Sequence, residues 1–138
     1  MDDDDSIRTT LAEILREEGY EVDVAQNGAE AISKSNARLY DLALVDMRLP
    51  DMNGTEVLSR MRETVPKTAK VIVTGFPTMQ NAIDSVNRGA DGYVLKPVDA
   101  ETLLWEVERQ LERRMEAMKY SEEKVNEFIE SRVRELGM

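Results

Sequence analysis

Charged side chains stand at recurring places in this chain. Asp2, Asp3, Asp4 and Asp5 follow Met1 without interruption. Asp46 follows the apolar run "LALV", Thr74 follows "VIV", and Lys96 follows "YVL". Four adjacent carboxylates repel one another, so a folded protein needs a partner for them. A carboxylate, a hydroxyl and an ammonium that end three neighbouring strands can meet in one small cleft, because parallel strands lie about 4.8 Å apart. Such a cleft suits phosphoryl transfer. Asp46 would be the nucleophile and would carry the group as an aspartyl-phosphate. Asp2 and Asp3, with Asp46, would hold Mg2+, which offsets the crowded negative charge. Lys96 would pair with one phosphoryl oxygen, and the Thr74 hydroxyl would donate to another.

The surrounding pattern can position these groups. The three apolar runs do not alternate with polar residues, which suits strands covered by helices on both faces of a parallel sheet. A fourth run, "EVDVA" at 21–25, does alternate and predicts a strand nearer an edge. Helical patterns lie between the runs. "SIRTTLAEILREEG" puts Ile7, Leu11, Ile14 and Leu15 on one face and stops at Gly19. "NGAEAISKSNARL" predicts a shorter helix. "NGTEVLSRMRETVP" carries Val57, Leu58 and Met61 inward and stops before Pro66. "TMQNAIDSVNRGA" aligns Met79, Ile83 and Val86 and stops at Gly89. A long helix is expected from Asp99 through Leu103, Leu104, Val107 and Leu111. Strands alternating with helices predict an α/β fold with a doubly wound parallel sheet, whose ligands bind at the carboxyl ends of the strands.

Composition narrows the chemistry. The chain has 138 residues, enough for one domain with a helical appendage. It has no cysteine, which removes disulfides and thiolate metal sites and fits a reducing cytoplasm. It has no histidine, so a Ser-His-Asp triad, a His-ligated zinc and an internal phosphohistidine are excluded. With 28 acidic against 18 basic residues the net charge is −10, which disfavours nucleic acid as a direct partner. No apolar run is long enough to span a membrane.

The segments "DDDDSIR", "LALVDMRLPDMNG", "VIVTG" and "GADGYVLKPV" together resemble the receiver domain of two-component response regulators, of the chemotaxis-receiver kind. They occur in the order and spacing of that family and span residues 2–98. The resemblance implies a flavodoxin-like fold, a cytoplasmic phosphoprotein and a separate histidine kinase as phosphodonor. It makes Asp46 the phosphoacceptor, Asp2 and Asp3 the acid pair, Thr74 the switch hydroxyl, Tyr93 the switch aromatic and Lys96 the characteristic lysine. It also implies a metal contact from the Arg48 backbone carbonyl and a cis bond between Lys96 and Pro97. Arg48 and Phe76 would flank the path of a hydrolysing water and slow loss of the phosphoryl group. A dehalogenase-type phosphatase wants a second aspartate two residues after the first, and position 48 is Arg. A receiver that docks and oligomerises without phosphorylation is the alternative.

The plain reading is a stand-alone, non-enzymatic receiver that signals to an unknown downstream protein. The receiver covers 1–111, and 112–138 forms a charged helical extension. Met115, Met118, Val125, Ile129, Val133 and Leu136 give that extension a narrow apolar stripe, interrupted by Glu122 and Arg132. Homodimers through this helix, or through strand exchange, are expected candidates. In the family an apolar strand of about five residues ends at the acid pair; here Met1 directly precedes it. The expectation is a sheet without its usual first, central strand, either through truncation or in a chain that starts here, with "EVDVA" closing directly on "LALVD" or a strand borrowed from another molecule. Five buried apolar side chains would contribute on the order of 10 kcal/mol, against a total stability of about 5–15 kcal/mol.

Overall fold

The computed structural model describes residues 1–64, 67–75 and 78–137. Helices and strands follow in the order α1 (Asp5–Glu17), α2 (Gly28–Ala37), β1 (Leu42–Asp46), α3 (Gly54–Arg60), β2 (Ala69–Thr74), α4 (Met79–Asn87), β3 (Gly92–Leu95) and α5 (Ala100–Glu135). The three strands form one parallel sheet in the order β1-β2-β3, with Asp46 opposite Val73 and Thr74 opposite Leu95.

The non-alternating runs are buried from both sides. Val45 and Ile72 join Val57, Leu58 and Met61 in a core on the α2–α3 face. Leu42 and Leu44 pack with Leu15, Leu103 and Val107 on the α1–α5 face. Side chains two apart share a face of a strand, so one apolar run serves two cores.

Helix ends follow local chemistry. Asp4 caps α1 by accepting from the Ile7 amide at 3.0 Å. Asn27 caps α2, Thr78 caps α4 and Asp99 caps α5 in the same way. Gly19 and Gly89 take positive φ just past α1 and α4.

Two expectations about elements are corrected. Glu21–Ala25 is not a strand. A strand there needs a neighbour toward β1, and only Met1 and Asp2 stand between. They make three backbone bonds: Met1 N to the Leu44 carbonyl at 3.0 Å, Asp46 N to the Met1 carbonyl at 3.0 Å, and Asp2 N to the Ala25 carbonyl at 3.1 Å. Two residues extend no ladder, and a cavity of about 440 Å3 lies alongside, lined by Leu11, Leu15, Val22, Leu42 and Leu44 among others. Among the described residues the sheet thus has three strands, none of them preceding α1.

Helix α3 is also shorter than its pattern, ending at Arg60. Thr64 and Thr68 beyond it bond to the loop instead, Thr68 N to Thr64 Oγ1 at 3.2 Å and Thr68 Oγ1 to the Tyr40 carbonyl at 2.7 Å. Such side-chain bonds compete with helix. Val57, Leu58 and Met61 are buried as expected; Pro66 lies outside the described residues. The aligned face of α4 turns outward, with Met79, Ile83 and Val86 all exposed.

Helix α5 runs 36 residues without a break. Its first part is held by buried polar contacts: Gln110 Nε2 donates to the Asp91 carbonyl at 3.0 Å and to Glu106 Oε1 at 2.7 Å. Arg114 is the last anchor, reaching Asp41 at 2.8 Å and the Lys67 carbonyl at 3.0 Å. Beyond it, among the described residues, only Met118 is partly covered.

Candidate functional site

The carboxyl ends of β1 and β2 adjoin the start of α1, and three acidic residues collect there. Asp2 and Asp46 are buried and Asp3 is exposed. Each offers a carboxylate oxygen, and these oxygens lie within 4.8 Å of one another. Asp2 is fixed by its neighbours. Its Oδ1 accepts from the Asp4 amide at 3.0 Å, and its carbonyl accepts from Arg8 Nη1 at 2.9 Å. Arg8 also pairs with Asp5, so the acidic run is braced from within α1. Asp4 and Asp5 thereby serve the helix start, where negative charge is favourable.

Lys96 joins the cluster from beyond β3. Its amide donates to the Thr74 carbonyl at 2.8 Å, and the Lys96–Pro97 bond is cis as the resemblance implied. Its Nζ lies 2.9 Å from Asp46 Oδ2 and 3.1 Å from Asp2 Oδ2. The remaining Asp46 oxygen accepts from the Arg48 amide at 3.2 Å. The loop after β1 makes this possible. Leu49 N donates to the Met52 carbonyl and Gly54 N to the Met47 carbonyl, closing a bridge between Arg48 and Asn53. Gly54 comes so close that a Cβ there would sit 2.3 Å from the Asp46 carbonyl oxygen. Only glycine lets α3 start against the strand end.

The electrostatics show one cation shared by several anions. Burial pushes the Asp46 carboxyl above its ordinary range; the Lys96 ammonium and Arg48 amide pull it down, the Asp2 charge pushes it up, and the net direction is up. Burial works against the Lys96 ammonium, yet its bonds to Asp46 and Asp2 outweigh this and hold its pKa high. The two directions agree physically: the lysine gains two partners, whereas Asp46 gains only a share of one. Negative charge is left over, and a cluster of oxygen donors around it fits a hard divalent cation.

Thr74 ends β2 fully buried. Tyr93 packs against the α2–α3 core, and its buried hydroxyl has no hydrogen-bond partner among the described residues. Asp2, Asp3, Asp46, Arg48, Thr74 and Lys96 are thus brought to one end of the sheet; Tyr93 stands in β3, opposite Ile72. Phe76 lies outside the described residues. One supporting residue escaped the sequence reading. Asp51 accepts from the Gly28 and Ala29 amides at 2.8 and 2.9 Å, tying the loop after Asp46 to the start of α2. Its partners are remote in the chain, and the turn pattern "LPDMNG" carries no sign of them.

A family model for the response regulator receiver domain matches residues 1–108, and the chain belongs to that family. Two-component signalling, phosphorylation and Mg2+ binding at an acidic phosphoacceptor site are general features of its members. Among individual proteins, the alginate biosynthesis transcriptional regulatory protein AlgB of Pseudomonas syringae pv. tomato is 35% identical over 114 residues, 83% of this chain and 25% of that protein. A CheY-like receiver domain protein from Methanospirillum hungatei JF-1 superposes with a TM-score of 0.80 at 38% identity, covering 84% of this chain and 93% of that one. NtrX from Brucella abortus gives a TM-score of 0.82 at 28% identity, over 89% of this chain and 29% of that one. The chain spans about a quarter of the length of curated regulators such as AlgB. Among the described residues no helix is long and apolar enough to cross a membrane.

Proposed function

We propose that this chain is a phosphorylation-controlled signalling module that takes its phosphoryl group on Asp46 from the phosphohistidine of a separate histidine kinase. An Asp46 oxygen attacks phosphorus, the P–N bond breaks, and the imidazole leaves with the electron pair. The observation that carries this reading is the contact of Lys96 Nζ with both Asp46 and Asp2 at the strand ends. A lysine in that place can turn from carboxylate to phosphoryl oxygen without leaving the cleft. Asp2, Asp3 and Asp46, with the Arg48 carbonyl, would hold Mg2+, whose charge offsets that of the incoming group. Thr74 and Tyr93 are the switch residues that report the modification.

The output goes to a downstream protein through the surface borne by α4, β3 and α5. Five apolar side chains, Met79, Ile83, Val86, Leu95 and Trp105, are exposed on these consecutive elements. Such residues suit a docking face whose affinity changes with the state of the cleft. The test is incubation with acetyl phosphate and Mg2+, followed by intact mass. Addition of one phosphoryl group to the natural chain and none to Asp46→Asn supports the reading. An unmodified natural chain would leave a docking module that works without phosphate.

A further inference from the structure

Past Arg114, α5 continues for about six turns with almost nothing packed on it, yet its sequence is patterned. Met118, Glu122, Val125, Ile129, Arg132 and Leu136 recur at alternating steps of four and three. That spacing puts all six on one seam, the a and d positions of a heptad repeat. Four are apolar, and Val125, Ile129 and Leu136 are exposed. Glu122 and Arg132 interrupt the seam with opposite charges.

The interruptions decide orientation. In a parallel pair of copies each seam residue meets itself, so Glu122 faces Glu122 and Arg132 faces Arg132. In an antiparallel pair, a positions face d positions. Aligning Glu122 with Arg132 of a second copy then places Val125 on Ile129 and Met118 on Leu136. All seam residues find suitable partners in one register, and both unlike-charge pairs form at once. Phe128, also exposed, would lie beside its own copy near the two-fold axis. Arg132 is held by exposed contacts alone, a 3.4 Å bond to Glu135 and a position 5.2 Å over the Phe128 ring, both of which a second copy can replace.

The lengths agree as well. The register covers Met118 to Leu136, about 27 Å of helix. Helix α5 ends at Glu135, followed by Gly137 at φ +72°. The register therefore sets Leu136 of the second copy level with Met118, one turn past the Arg114 anchor. We propose that residues 118–136 pair with the same segment of a second copy as an antiparallel two-helix coiled coil. This does not depend on phosphorylation of Asp46.

The absence of cysteine makes the register directly testable. Light scattering of the full chain is expected to give a dimer mass. Under mild oxidation, Met118→Cys alone should not cross-link, because its two copies would lie about 27 Å apart. A mixture of Met118→Cys and Leu136→Cys chains should form the mixed disulfide. Glu122→Arg and Arg132→Glu should each weaken the dimer by about tenfold or more, and the double reversal should restore it. A monomer at sub-millimolar concentration, cross-linking of Met118→Cys with itself, or a double reversal as weak as the singles would each overturn the proposal. Glu122, Arg132 and Leu136 are exposed beyond the packed domain and Met118 touches it through Arg114, so loss of folding does not confuse the result.

Discussion

Lys96 Nζ lies 2.9 Å from Asp46 Oδ2, across 50 residues of chain, and the same ammonium also reaches Asp2 at 3.1 Å. One positive charge therefore serves two buried carboxylates, with Asp3 at the rim. Without a divalent cation this corner of the fold holds excess negative charge at a desolvated site. That imbalance suits the proposed binding of a cation and a phosphoryl group, and it carries a cost in stability.

Replacing Asp46 by Asn should expose that cost. Because burial raises the Asp46 pKa, the folded protein binds this proton more tightly than the unfolded chain does. Its ionisation weakens the fold as pH rises from the ordinary carboxylate range through the raised value. The amide mimics the neutral form. In the presence of chelator, Asp46→Asn should melt above the natural chain at pH 7, and the gap should shrink as pH falls below the raised value. Thermal unfolding at a series of pH values checks this, and a variant that melts lower at pH 7 contradicts it.

Tyr93 offers a second stability test. An unpartnered buried hydroxyl costs about 1–3 kcal/mol, and the Tyr93 hydroxyl is in that position among the described residues. Tyr93→Phe keeps the ring against the core and removes the polar atom. It should raise stability by about 1 kcal/mol in urea unfolding. If Tyr93 is also the switch aromatic, Thr74→Ala should break its coupling to the cleft. Beryllofluoride should then change amide spectra along α4, β3 and the start of α5 in the natural chain and leave them nearly still in Thr74→Ala.

Arg48 bears on the lifetime of the modified state. Its amide donates to Asp46 Oδ1, and its side chain is exposed beside the cleft. A long side chain there would obstruct a water in line with the phosphorus of the proposed aspartyl-phosphate. Arg48→Ala should shorten the lifetime of the phosphorylated form by several-fold, read as loss of the added mass with time. An unchanged decay would show that the side chain does not guard the cleft.

The strand ends are legible because an unbroken apolar run in a charged chain is stable only where both its faces are covered. Asp46, Thr74 and Lys96 follow such runs directly, and parallel pairing brings them to one edge. The alternation in Glu21–Ala25 misleads, because it promises a strand only if a neighbour completes the ladder. The outward turn of Met79, Ile83 and Val86 is equally hidden, since periodicity shows that residues share a face and not what covers it. Asp51 and the Glu106–Gln110 pair depend on contacts remote in the chain, and nothing local in their surroundings announces these.

The groove beside β1 supports the last prediction. Leu42 and Leu44 face it, Met1 and Asp2 fill only its end, and its volume is about 440 Å3. An Ile/Val-rich segment of about five residues fused ahead of Met1 would run on from the existing bonds to Leu44, Ala25 and Asp46. Each buried apolar side chain contributes roughly 1.5–3 kcal/mol, against an ordering cost of about 1–2 kcal/mol per residue. The fusion also replaces the Met1 ammonium, whose charged form burial disfavours, by a neutral amide. A net gain of a few kcal/mol should follow, with Glu21–Ala25 newly protected from amide hydrogen exchange as it enters the ladder. A fused chain of equal melting temperature, with those amides still exchanging freely, would show that the groove does not accept a strand.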